Sequence, residues 1–249
     1  PGRNPDRARE TDVSLALNRQ TDVPDGDLLA AIAHDLRHPL TRVRLGAQIL
    51  RREAERAAAP PTAWLTQGLA DIEEAATRMA QLIDEIVDLA RIRAGDPLHL
   101  NRDPTDLAAL AARAAADAHA SSQRHGVRLD LAEPSMIGRW DAARLRRVLE
   151  NLLSNAIKYS PHGGAIVVRV ARDGERAVLV VRDHGCGIPA ADQPHIFEPF
   201  WRGSNVDQVP GSGLGLTSVK QIIEAHGGSV TVESGEGQGT TVTVRLPRE

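Results

Sequence analysis

Residues 145–161 read "LRRVLENLLSNAIKYSP". Leu145, Val148, Leu149, Leu152, Leu153, Ala156 and Ile157 recur at steps of three and four, or next to such a step, which is the spacing of one apolar helix face. Asn151, Asn155 and Lys158 fall at i, i+4 and i+7 on another face. Two carboxamides and an ammonium therefore line one side of a helix whose other side is made for burial. An Asn carbonyl oxygen is a hard, neutral ligand for Mg²⁺, and a neighbouring Lys offsets the charge of phosphates that arrive with the metal. The same three residues could also form an ordinary solvated face, so the flanking segments must choose.

Downstream, "VVRDHGCGIP" places Asp183, Gly185 and Gly187 after a β-rich run. A lone acid there can accept the exocyclic amine of a flat ligand, and glycines let backbone approach it. Next, "VPGSGLGL" sets Gly211, Gly213 and Gly215 before the helical pattern "LTSVKQIIEAHGG". Glycines permit a nest of amides, and the helix N-terminus behind them attracts negative charge, so a triphosphate suits this turn. The spacing is G-x-G-x-G after a polar loop, "RGSNVDQVP", which is not the strand-led dinucleotide turn. That loop reads as a mobile lid.

In this order the three motifs resemble the N, G1 and G2 boxes of the GHKL ATPases, and "IFEPFWRG" between them resembles the F box of histidine kinases. The resemblance implies a Bergerat α/β sandwich that binds ATP. It implies that Asn155 ligates Mg²⁺, that Asn151 and Lys158 meet metal and phosphates, and that Tyr159 flanks the adenine. Asp183 would accept the adenine amine with Gly185 and Gly187 beside it, and Arg202 would reach the γ-phosphate. The backbone of Gly211, Gly213, Leu214 and Gly215 would hold the phosphate tail, and Thr240 of "GQGTTVTV" would add a water-mediated adenine contact.

The first hundred residues have a different period. Leu29, Ile32, Leu36, Leu40, Val43, Ala47 and Leu50 step by three and four, "AAAPPT" at 57–62 stops the helix, and Leu65, Leu69, Ile72, Ala76, Met79, Ile83 and Ile86 resume the stripe until "AGDP". Two such helices make an antiparallel hairpin whose stripe is half covered, so a homodimeric four-helix bundle is expected. After residue 100, "VRLDLAE", "GAIVVRVARDGERAVLVVRDHG", "GSVTVES" and "TTVTVRLP" read as strands, with "RDGE" closing a hairpin. The expected class is α+β: a helical hairpin, then a largely antiparallel sheet with helices on one face. The expected organisation is a polar lead over 1–26, left from the linker of an upstream sensor region, a dimerisation and phosphotransfer hairpin over 27–96, and an ATP-binding domain over 97–249.

Within the first helix, "AHDLRHPLTRV" (33–43) has the layout H-D-x-x-H. Two imidazoles at i and i+4 suggest zinc, yet a third ligand is lacking nearby and Asp is short for the Glu base of such hydrolases. The stretch is similar to the H box of the HisKA class, which identifies the chain as resembling a sensor histidine kinase core. His34 lies about 200° around the helix from Ile32 and Leu36, off the apolar stripe, where a separate domain can reach it. By resemblance His34 is the phospho-acceptor, Asp35 orients its ring, and a response-regulator receiver domain takes the phosphoryl group onward. Pro39 is expected to bend the helix. His38 departs from the Thr or Asn most often found there, which puts dephosphorylation of the partner in doubt. The alternatives are a nucleotide-binding dimeric pseudokinase and a GHKL ATPase without phosphotransfer.

Bulk properties agree. The 249 residues carry 30 basic and 33 acidic side chains, net −3, too balanced for a protein that grips nucleic acid by charge. One cysteine, Cys186, excludes a disulfide framework. No run of about 18 apolar residues and no signal peptide are present, so a cytoplasmic core is expected, with membrane anchoring of the full-length protein left open.

Overall fold

The computed structural model describes residues 40, 41, 43–54, 56 and 63–249, except 94–97, 123, 207, 208, 210 and 211. The assignments made to His34, Asp35, His38, Pro39, Gly211 and the lead 1–26 lie outside the described residues. Residues 43–54 are helical, and α1 (Ala63–Arg93) is the second arm of the hairpin. Arg51 on the first arm pairs with Glu73 on α1 at 2.9 Å. The stripe divides: Ala47, Leu69, Ala76, Val87 and Ala90 are buried, whereas Val43, Leu50, Ile72 and Met79 are 51%, 56%, 45% and 47% exposed. No helix among the described residues is long and apolar enough to cross a membrane.

The remainder runs β1 (Asp103–Asp106), α2 (Leu107–Ser121), β2 (His125–Leu131), β3 (Ile137–Trp140), α3 (Ala142–Lys158), β4 (Gly164–Asp173), β5 (Arg176–Arg182), a 3-10 turn at Gln193–His195, α4 (Gly215–Ala225), β6 (Ser229–Gly235) and β7 (Gly239–Pro247). β2, β4, β5, β7 and β6 form one sheet in that order, parallel only between β2 and β4. The two-stranded β1–β3 sheet was not anticipated: four residues with a proline at Pro104 show no alternation.

Alternation explains the core. Ile166, Val168 and Val170 of β4, Leu179 and Val181 of β5, and Val244 and Leu246 of β7 turn inward, while Arg169 and Arg182 face out. The register aligns Val170 with Leu179 and Leu179 with Val244, so inward residues meet across strands. Leu149, Leu152, Val219 and Ile223 cover them from α3 and α4 in one cluster. α2 and α3 are capped by Asp106 and Asp141, whose carboxylates accept amide hydrogens of the first turn. This layer architecture is the Bergerat α/β sandwich.

One buried histidine ties the helices together. His226, 1% exposed, accepts the Asp141 amide hydrogen on Nε2 at 3.0 Å and donates from Nδ1 to the Ile222 carbonyl at 2.8 Å. This pattern requires neutral imidazole with the proton on Nδ1. Burial lowers its pKa, helped by Arg102 and Arg144 and opposed by the Ile222 bond and Asp141. The unfolded chain then binds the proton more readily, so this contribution to stability is present above about pH 6.5 and is lost as pH falls below it. Urea unfolding should show a midpoint that drops between pH 7.5 and 5.5, and His226→Leu, though less stable throughout, should show a flatter dependence. An unchanged slope in the variant would remove His226 from this role.

Candidate nucleotide site

The cleft forms where α3, the end of β5, the start of β7 and the loop before α4 converge. It measures about 770 Å³ with its open mouth, and Asn155, Tyr159, Asp183, Gly187, Arg202 and Thr240 line it together with Leu152, Ile188, Trp201, Leu216 and Val242. An apolar cleft with a few convergent polar groups is the usual form of a cofactor-sized site. The apolar lining from Leu152 and Leu216 belongs to the helix faces that also build the core, so a flat ligand in the cleft would lie directly on the packed interior.

Asp183 follows β5 and is 8% exposed. Its Oδ1 accepts the amide hydrogens of Gly185 at 2.8 Å and Thr240 at 3.1 Å. Burial raises the carboxyl's pKa, and these two donors and His184 pull it back. Both of these bonds fall on Oδ1, which leaves Oδ2 as an acceptor for a ligand amine in the cleft that Asp183 lines. Thr240 is held from its other side as well, its hydroxyl 3.0 Å from that of Ser234.

Two glycines are required by backbone packing. Gly187 has φ of +65°, and a Cβ there would run into the Gly235 carbonyl; Gly213 has φ of +72°, and a Cβ would lie 2.6 Å from the Phe200 carbonyl carbon. Phe200 itself sits at φ +65° and donates its amide to the Gly213 carbonyl at 3.1 Å. A non-glycine in that region carries strain of about 1–3 kcal/mol and persists only where the surroundings fix it. Thr217 of α4 supplies another tie, bonding the Phe197 carbonyl at 3.1 Å.

The other end of the site is built by α3 and α4. Asn151 donates to the Gly215 carbonyl at 3.4 Å, and a Cβ on Gly215 would sit 3.8 Å from both Asn151 and Asn155. The glycine therefore keeps open the gap between two carboxamides and the first turn of α4, where oxygen ligands and a helix N-terminus suit phosphates and Mg²⁺. The donor set fits such a group. Among the described residues no cluster of three or more His, Cys, Asp or Glu is placed to hold a metal ion.

Three of the motif residues have partners within the protein itself. Lys158 points to its neighbour, with Nζ 3.2 Å from the Tyr159 hydroxyl and 4.7 Å from its ring centroid. Arg202 lines the cleft, but its guanidinium donates to the carbonyls of Val206 and Val209 in its own loop. Leu214 is buried and its carbonyl starts α4 by accepting the Ser218 amide. Asn205 was missed: it bonds the Gly187 carbonyl at 3.1 Å and latches the loop to the cleft floor. Nothing in a polar loop marks that residue in advance.

Residues 25–95 match the His Kinase A (phospho-acceptor) domain, and residues 140–249 match the histidine kinase-, DNA gyrase B- and HSP90-like ATPase family. The solved mycobacterial sensor histidine kinase MprB is 31% identical, covers 58% of this chain and 97% of its own, and superposes with a TM-score of 0.54. The chain belongs to the sensor histidine kinases. The chain is also 35% identical to the circadian input-output histidine kinase CikA of Synechococcus elongatus, over 98% of the chain and 33% of that relative. It is 35% identical to the probable sensor histidine kinase TcrY of Mycobacterium tuberculosis, over 94% and 48%. The crystal structure of full-length ShkA in complex with AMPPNP is 26% identical, covers 90% of this chain and 46% of its own, and has a TM-score of 0.66. The chain thus spans about a third to a half of the length of the curated relatives.

Proposed function

We propose that the chain is the core of an ATP-dependent protein histidine autokinase that phosphorylates His34 and passes the phosphoryl group to an aspartate of a response-regulator receiver domain. The observation that carries this reading is the cleft holding Asp183, Asn155 and Thr240 in the same chain as an H-box hairpin. The AMPPNP complex of ShkA supports ATP as the nucleotide.

Asp183 would select adenine through its amine, with Tyr159 and the apolar lining excluding water. Mg²⁺ bound with the phosphates at Asn155 would supply charge neutralisation. A neutral His34 nitrogen, Nε2 by family likeness, forms the P–N bond as the bond from γ-phosphorus to the β,γ-bridging oxygen breaks and ADP leaves. Asp35 takes the proton from the other ring nitrogen. For Arg202 to meet the γ-phosphate, its guanidinium must leave the Val206 and Val209 carbonyls, which couples charge stabilisation to rearrangement of the lid. The exposed Val43, Leu50, Ile72 and Met79 support a homodimer, since a second hairpin would bury them at roughly 25 cal/mol per Å². The division into a 27–96 hairpin and a 97–249 ATP-binding domain is part of the same reading.

Incubation with γ-labelled ATP and Mg²⁺ should give acid-labile, base-stable label on the chain. Addition of a cognate receiver domain should move that label onto the receiver as a base-labile, hydroxylamine-sensitive acyl phosphate. Hydrolysis without bound label would instead indicate an ATPase, and nucleotide binding without either would indicate a pseudokinase.

A further inference from the structure

Asp88, near the C-terminal end of α1, is 9% exposed. Its Oδ2 accepts from Arg144 Nη1 at 2.7 Å and from Arg147 Nη1 at 3.2 Å, both on α3. The three side chains are 13%, 23% and 15% exposed, so the triad is largely withdrawn from water. Val87 and Ala90 beside it are buried, and α1 also packs against α4. The hairpin and the ATP-binding half therefore meet through a charge cluster largely withdrawn from water. Buried ion triads contribute little net stability but are unforgiving of misplacement, because an unpartnered charge is costly. They fix one arrangement and are best suited to registry or switching.

Chemistry demands such a second arrangement. One imidazole must face the ATP cleft in the first step and a receiver aspartate in the next, and both cannot occupy it together. The ATP-binding half must withdraw to a defined place. The tether between Arg93 and Asp103 is nine residues, about 30 Å when extended, so the two halves remain neighbours and weak contacts decide between positions. The docked arrangement is also the one in which Arg202 is occupied by its own loop. Arg147 lies one turn before Asn151 on α3, so the helix that holds the lock also presents the nucleotide ligands.

Resting on the autokinase reading above, we propose that Asp88, Arg144 and Arg147 form a charge lock that parks the ATP-binding half against the hairpin, and that breaking it releases that half toward the acceptor histidine. The partner of each half is the other half of the same chain, and the lock restrains the reaction without entering it.

The test is a double-mutant cycle on the 249-residue chain: wild type, Asp88→Asn, Arg144→Gln with Arg147→Gln, and the triple variant. Hydrogen exchange of residues 83–93 and 141–148 reads the docking directly. Breaking the lock should speed exchange in both segments by about tenfold or more, with non-additive effects in the triple variant. Initial autophosphorylation should rise by about three- to tenfold in Asp88→Asn, while the ATP dissociation constant changes by less than about twofold. Unchanged exchange in Asp88→Asn, additive effects in the triple variant, or a slower reaction with accelerated exchange would each overturn the lock. Absence of label from all four proteins would count against the autokinase reading, and exchange would still judge the contact.

Discussion

Asp183→Asn is expected to weaken ATP binding about 100-fold, equivalent to roughly 2.7 kcal/mol. The reason lies in the two oxygens of one buried carboxylate. Oδ1 already accepts from the Gly185 and Thr240 amides, at 2.8 and 3.1 Å, and a ligand amine requires the other oxygen. Asparagine has a single carbonyl. Turned toward the two amides, it presents an NH₂ to the adenine amine; turned toward adenine, it presents an NH₂ to the two amides. Either way a buried donor faces a donor, and the loss exceeds that of one surface hydrogen bond. The substitution should also narrow the preference for ATP over GTP, because the wild-type carboxylate repels a guanine carbonyl at the same place. Titration calorimetry with both nucleotides, beside a thermal melt to confirm folding, measures this. Equal ATP affinity in a folded Asp183→Asn variant would mean that the nucleotide base does not meet Asp183.

The parts of this molecule that repeat locally were legible in its sequence. Steps of three and four along 145–157 give α3 and its buried face, those along 65–86 give α1, and two-residue alternation gives β4, β5 and β7. Motif residues far apart in sequence, Asn155, Tyr159, Asp183, Gly187, Arg202 and Thr240, line one cleft because the chain order of helix, strand and loop brings their ends together. What escaped depends on long-range partners. His226 closes on Asp141 across 85 positions, and Asp88 closes on Arg144 across 56, and neither end carries a local signature. A heptad stripe likewise shows which residues are apolar without showing which of them this chain covers itself, so Ala76 and Met79 read alike but are 1% and 47% exposed. Arg202 was assigned to phosphate by its place in a motif; the carbonyls it holds lie in its own loop and were visible only in three dimensions.

His34→Gln addresses the central claim most directly. Glutamine keeps a polar side chain of similar reach but has no basic nitrogen that can form a phosphoramidate, so transfer should fall to background rather than by a graded factor. The control is ATP affinity, which should stay within about twofold of wild type because the cleft is assembled from residues 152–242. Wild type and variant are incubated with γ-labelled ATP and Mg²⁺, then split between acid and base before counting. Base-stable, acid-labile label is expected on the wild type and none on His34→Gln. Label of the same stability and stoichiometry on His34→Gln would place the acceptor elsewhere, with His38 the first residue to replace, and would contradict the assignment of His34.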